Sequence, residues 1–164
     1  MNPARTILAA ALLTSGFALY AKPVEHGGAH PGAPSGAELV AARQAGMDMS
    51  AAALTLLKNA STNGVPLKNL TFPSSGLAKW AVVLPTMFSA NTKDVISRAK
   101  PAIWADRAGF NAKAQAFIDA TKALSAAAAA DDKPAFDAAL ASTGAACKGC
   151  HESFQVQSPA AKPG

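Results

Sequence analysis

Trp104, Arg107, Phe110, Ala114, Phe117, Thr121 and Leu124 recur every three or four positions. That is the period of one face of an α-helix. The stretch constrains the chain more than any other. Its apolar face has to be covered, and no alternating run elsewhere offers a sheet to cover it, so further helices must do so. Pro101 suits a first helical position, where its missing N–H costs nothing. The Ala126–Ala130 run carries the helix to its end. Alanine dominates the chain and aromatic residues make up only 6%, a balance that favours helix over strand.

Three more helices are expected. Ser35-Gly36-Ala37-Glu38 has the spacing of a capping box and opens a helix predicted to run to about Ala60. Val40, Met47, Ala51 and Leu54 recur along it at helical spacing. Asn63-Gly64-Val65-Pro66 breaks the chain. A shorter helix is predicted over about Ser75–Leu84, with Trp80, Val83 and Leu84 on its apolar face and Pro85 ending or kinking it. Thr86 to Lys100 reads as irregular. Asp131 or Asp132 caps a last helix, with Pro134 in its first turn. Phe136, Leu140 and Cys147 share its inner face, and it ends near Phe154. The prediction is an all-α antiparallel four-helix bundle over residues 37–156, followed by a tail over 157–164. There is no internal repeat and no glycine-rich phosphate loop.

The N-terminal segment reads differently. Arg5 followed by the apolar run Ile7–Leu13, then Gly16-Phe17-Ala18 and Leu19-Tyr20-Ala21, has the layout of a cleaved secretory signal over residues 1–21. The uncharged run from Thr6 to Ala21 is shorter than the roughly 20 apolar residues of a stable span and is interrupted by Thr14, Ser15 and Gly16. No later stretch is long and apolar enough to span a membrane, so a soluble, exported, periplasmic protein is expected. Residues 22–36 are rich in proline and glycine and read as a flexible linker, in which His26 and His30 are solvated residues rather than a metal tether. The net charge of +5 at pH 7 comes from scattered cations. Together with export, that argues against a nucleic-acid partner.

The two cysteines of the chain stand together in Cys147-Lys148-Gly149-Cys150-His151. C-x-x-C-H is the attachment pattern of a c-type haem. Two thiols three apart on one helical turn can each form a thioether to a vinyl group of one porphyrin, and the adjacent imidazole becomes the proximal ligand of the iron. The alternatives fit less well. A thioredoxin-like pair wants a βαβ context, a structural zinc wants about four ligands, and a plain disulfide leaves His151 unexplained. One covalently bound haem c is therefore expected at Cys147 and Cys150, with His151 on its iron.

A bundle with its haem motif on the last helix resembles the class II c-type cytochromes, the cytochrome c′ family. The resemblance runs from Glu38 to about Phe154. It is carried by Arg43-Gln44, Pro101-Ala102-Ile103-Trp104, Phe110 and Phe117, and Cys147–His151 with Phe154 behind. In that family the residue four after the first-helix arginine stands over the distal haem face, which here is Met47. The resemblance implies that Arg43 and Gln44 contact the haem propionates and edge. A buried arginine needs a paired charge in any case, and a propionate would supply it. Members of the family often pair through their first two helices, so a homodimer is implied. The resemblance departs four residues after His151. Many members carry Arg or Lys there, whereas this chain has Gln155, which puts their proximal gas-binding behaviour in doubt here.

Met47 leaves two readings open, because methionine can either bind iron or fill a core gap. Met49 points away from Met47 on the same helix, and Met87 lies in the irregular segment. Arg43 and Gln44 share the face of Met47, and Ile103-Trp104-Ala105-Asp106-Arg107-Ala108 looks like the low-spin branch of the family. The main expectation is therefore an electron carrier with His151 and Met47 on the iron, working with redox partner proteins. The alternative is a five-coordinate cytochrome c′, guarded by Met47, that binds nitric oxide or carbon monoxide. Trp80, Trp104, Phe110 and Phe117 are read as bundle core. No acid–base pair or nucleophile accompanies the haem motif, so no enzyme activity is expected.

Overall fold

A computed structural model describes residues 32–157. The expected signal segment, the linker through residue 31 with His26 and His30, and the tail from residue 158 lie outside the described residues.

Helix α1 spans Gly36–Thr62. Its capping box forms as the sequence implied. The Glu38 amide donates to Ser35 Oγ at 3.2 Å, and the Ser35 amide donates to the Glu38 carboxylate at 2.8 Å. Helix α2 spans Thr71–Val83. It begins about one turn earlier than the spacing suggested, because a 3-10 turn over Leu67–Leu70 leads straight into it and Pro73 sits where no intrahelical donor is needed. The segment expected to be irregular contains two further 3-10 turns, Leu84–Met87 and Ala90–Thr92.

The long helix predicted from Pro101 is broken. A single turn, α3 (Ala102–Ala105), is followed at Asp106 by α4 (Arg107–Ala130). Asp106 leaves the helical region at φ −114°, ψ 69°, and its carboxylate accepts the Gly109 amide at 2.9 Å. An aspartate that can cap a new helix outcompetes continuation of the old one. Asp131 takes a left-handed conformation, φ 58°, and closes α4. Asp132, not Asp131, caps α5 (Lys133–Phe154) by accepting the Ala135 amide at 3.0 Å.

The four long helices form the expected all-α four-helix bundle. Helices α4 and α5 pack closely, as do α2 and α4, whereas α1 meets α5 only sparsely. Leu57, Leu124 and Phe136 are fully buried in the shared core. Thr121 and Thr143 are buried too, and each hydroxyl donates to the carbonyl one turn back, so neither hydroxyl is stranded. Gly46 lets α1 approach α2, since a Cβ there would run into the Trp80 indole. The only β-type pairing among the described residues joins Ala99 and Gln155. It ties the loop before α3 to the end of α5, through Lys100 N to Phe154 O at 2.9 Å and Val156 N to Arg98 O at 2.8 Å.

The end of α1 is held to the start of α5 by buried Ser61, whose hydroxyl donates to Asp137 at 2.8 Å, with Lys133 on the other carboxylate oxygen. The Lys133 and Ser61 hydrogen bonds hold the Asp137 carboxyl below the usual carboxylate range. The folded chain thus binds this proton less readily than the unfolded one. The resulting stability is present at neutral pH and is lost as pH falls through the carboxylate range. Asp137→Asn is expected to flatten the acid limb of a thermal-stability profile against pH, with the two proteins converging at low pH.

Candidate haem site

The space left between α1 and α5 is a cavity of about 330 Å³. Met47 on α1, Phe88 in the loop, Phe110 on α4, and Cys150 and His151 on α5 all face it. The same five residues also face an adjoining apolar cavity of about 160 Å³ that reaches Cys147, Ser50, Ala51 and Leu54. The cysteines and histidine of the motif thus face two adjoining cavities that share five lining residues.

Burial pushes the Cys147 and Cys150 thiols upward, and for Cys150 the nearby Lys113 offsets part of this. The thiols therefore resist forming the thiolates that a zinc or redox site needs. Among the described residues no three His, Cys, Asp or Glu side chains converge as a metal cluster would require. Burial, then the charge of Arg98, lowers the His151 pKa. The imidazole is kept neutral, the form that binds a metal.

Arg43 is buried at 4% exposure. Its guanidinium lies 4.3 Å from the Phe88 ring centroid and donates to Met87 O at 3.1 Å and Ser97 Oγ at 3.0 Å. Among the described residues it has no carboxylate partner. Burial lowers its pKa. A buried cation at a cavity wall, satisfied only by neutral acceptors, fits a ligand that brings negative charge. Gln44 is exposed and lines the same cavity. Two thiols, a neutral imidazole, apolar and aromatic walls and an unneutralised arginine are what a haem with its propionates asks for, so the residues fit the group.

Met47 is half-buried and lines both cavities. Met49, on the opposite face, is 73% exposed. Met87 contributes a carbonyl to Arg43 and lines neither cavity. Trp80 packs on Gly46, and Trp104 donates Nε1 to Ser89 O at 3.2 Å. Phe110 and Phe117 are core residues as read from sequence, but they also wall the cavities, Phe110 both and Phe117 the smaller. Sequence reasoning missed Phe88, Ser97 and Arg98. They sit in the loop before α3, where no periodicity marks an inward side.

A family model described as Cytochrome C′ matches residues 38–155. The chain belongs to the cytochrome c′ family. It is 48% identical over 59 residues to cytochrome c′ of Rubrivivax gelatinosus, covering 36% of this chain and 46% of that protein. It is 47% identical over 57 residues to cytochrome c′ of Alcaligenes xylosoxydans xylosoxydans, covering 35% of this chain and 45% of that protein. The matched segments thus span less than half the length of these curated relatives. The crystal structure of the Rubrivivax gelatinosus protein superimposes with a TM-score of 0.68 at 29% identity, over 74% of this chain and 97% of that one. A ferrous variant of Alcaligenes xylosoxidans cytochrome c prime with bound NO gives a TM-score of 0.70 at 27% identity, over 77% of this chain and 100% of that one. As a member of this family, the chain carries one covalently bound haem c.

The family assignment overturns the main functional expectation, an electron carrier with His151 and Met47 held on the iron. The relatives are cytochromes c′, and one neighbour is solved with NO bound. Cytochromes c′ typically keep their iron five-coordinate, and a thioether held on it would compete with a gas. The reading of Ile103–Ala108 as a low-spin signature is not confirmed by these relatives. In the structure those residues form the short α3 and the break at Asp106.

Arg43→Ala is expected to cost about 2–3 kcal/mol in urea denaturation, because it strands Met87 O and Ser97 Oγ and removes a charge-assisted pair of bonds. Arg43→Lys should recover only part of this, since an ammonium cannot hold the two-pronged, ring-stacked geometry.

Proposed function

We propose that this protein is an exported, periplasmic cytochrome c′ that binds nitric oxide or carbon monoxide on a five-coordinate haem, and that it acts by binding rather than catalysis. Cys147 and Cys150 hold the group by thioethers, His151 is the proximal iron ligand, and Arg43 with Gln44 takes the propionate edge. When bound, haem c would supply a ferrous iron able to take up the gas. The observation that carries the reading is the small apolar cavity continuous with His151 and screened by Met47. It is lined by Ser50, Ala51, Leu54, Leu77 and Leu84 as well as Phe117.

This chain's residues do three things there. The wall is mostly aliphatic and aromatic, with Lys113 its one charged side chain and Ser50 and Thr143 its hydroxyls, and a mainly apolar wall favours small neutral diatomics. The Ser50 hydroxyl already donates to Gly46 O at 2.7 Å, which leaves its donor occupied. Met47 lines both cavities with a flexible, unbranched side chain that can yield to an incoming ligand. No distal histidine or carboxylate lines this smaller cavity to move a proton, which is why binding rather than turnover is proposed. A redox partner protein is needed only to keep the iron ferrous. No helix among the described residues is long and apolar enough to cross a membrane.

The purified ferric protein is expected to show a high-spin, five-coordinate optical and spin-resonance spectrum that Met47→Ala leaves unchanged. In the ferrous state Met47→Ala should bind carbon monoxide faster, because the entrance is widened. A low-spin ferric spectrum with a sulfur-to-iron charge-transfer band, lost in Met47→Ala, would refute the reading.

The homodimer implied by the family has a matching surface. Met49 and Leu56 on α1 and Phe72, Val82 and Val83 on α2 are exposed, Phe72 at 87%. Large apolar side chains left on two neighbouring helices mark an association face. Sedimentation of the wild-type protein should show a dimer, and Leu56→Glu should shift it to monomer with the haem spectrum intact.

A further inference from the structure

Arg98 belongs to no role assigned so far. It lies in the loop tied to the end of α5, and its side chain returns to the cavity wall beside Cys150 and His151. The guanidinium is clamped by two acceptors. Nη2 donates to Gln155 Oε1 at 3.1 Å, and Nε donates to Val156 O at 3.3 Å. Both acceptors are neutral. Gln155 is itself fixed, because its amide closes α5 by donating to His151 O at 3.0 Å and because its backbone bridges Ala99. The residue four places after His151 is therefore not a cation. It is the acceptor that holds a cation brought from another part of the chain.

The charged groups facing the larger cavity are Arg43, Arg98 and Asp48, with His151 between them. Arg43 is set against the propionate edge, where an anion offsets it. Arg98 has no carboxylate partner among the described residues, so its charge is left to act on the site. A guanidinium is a permanent cation.

We propose that Arg98, clamped by Gln155 beside His151, is a positioning residue whose charge biases the haem iron toward the ferrous state. The inference rests on the haem placement proposed above. The step concerned is the uptake of one electron from an external reductant, with no protein bond formed or broken. Gaining an electron lowers the positive charge of the site by one, and a fixed nearby cation opposes the oxidised state more than the reduced one. Ferrous iron is the state that takes up carbon monoxide. Arg98 thereby enlarges the binding-competent fraction at a given reductant level, although it need not touch the gas. Because the guanidinium is partly solvated, its influence is screened by salt.

The test is a potentiometric titration of the holoprotein, with dithionite and ferricyanide as reductant and oxidant and the haem absorption bands as readout. Arg98→Gln should lower the midpoint potential. The gap from wild type should narrow between about 0.01 and 1 M ionic strength, where the screening length contracts from roughly 30 to 3 Å. Arg98→Lys loses the clamp and keeps the charge, so it should stay nearer wild type than Arg98→Gln does. Thermal melts of the two variants separate loss of charge from loss of packing, since both give up the same pair of guanidinium bonds. An unchanged potential in Arg98→Gln, or equal shifts in Arg98→Gln and Arg98→Lys, would overturn the inference. The ferric wild-type spectrum tests five-coordination separately, so failure of that reading and failure of this one are told apart.

Discussion

The bundle is built around a space that its own side chains do not fill. Helices α4 and α5 close on one another, α2 closes on α4, and Gly46 lets α1 close on α2, whereas α1 and α5 meet only sparsely, Ser61 holding Asp137 at one end. Empty apolar volume forfeits contact energy on every wall, at about 24 cal/mol per Å³ in a measured cavity series. A cavity of this size inside a small domain therefore points to a large apolar group that completes the packing. Covalent attachment to α5 makes that group a permanent part of the core, so the gap between α1 and α5 and the position of the motif on α5 are two sides of one constraint.

Charge follows the same division. The interior side of the gap is aromatic and aliphatic, with Phe110 edge-on to both Phe88 and Phe154. The outer side carries Arg43 and Arg98, joined through the loop, since Ser97 accepts from Arg43 while its neighbour Arg98 reaches Gln155. One loop thus touches the helix above the cavity and the helix below it. An apolar cavity and two arginines border one site because the loop before α3 crosses from α1 to the end of α5.

Much of this was legible in the chain itself. The capping box at Ser35, the proline near the start of α5 and the helical spacing from Phe110 to Leu124 are local features, and the helices follow them. Cys147, Cys150 and His151 declared their chemistry because haem attachment needs a fixed spacing on one turn. The readings that failed depended on competition between local signals. Asp106 could sit inside a helix or cap one, and the cap prevailed. Asp131 and Asp132 could each cap α5, and only one had the extended backbone to do it. Met47 is equally suited to packing and to binding iron, and residue type alone could not separate the two. The family did.

The order of the helices, the C-x-x-C-H motif on the last of them and the register of Arg43 with Met47 were determined by sequence alone, because each depends on residues within a turn or two of one another. Tertiary structure decided the rest. It showed that Arg43 is buried against neutral acceptors, that Phe88 closes the wall, and that Arg98 arrives beside His151 from a distant loop held by Gln155. These are contacts between segments far apart in the chain. No local periodicity encodes them, and only the packing of α1, α4 and α5 around a common space brings them together.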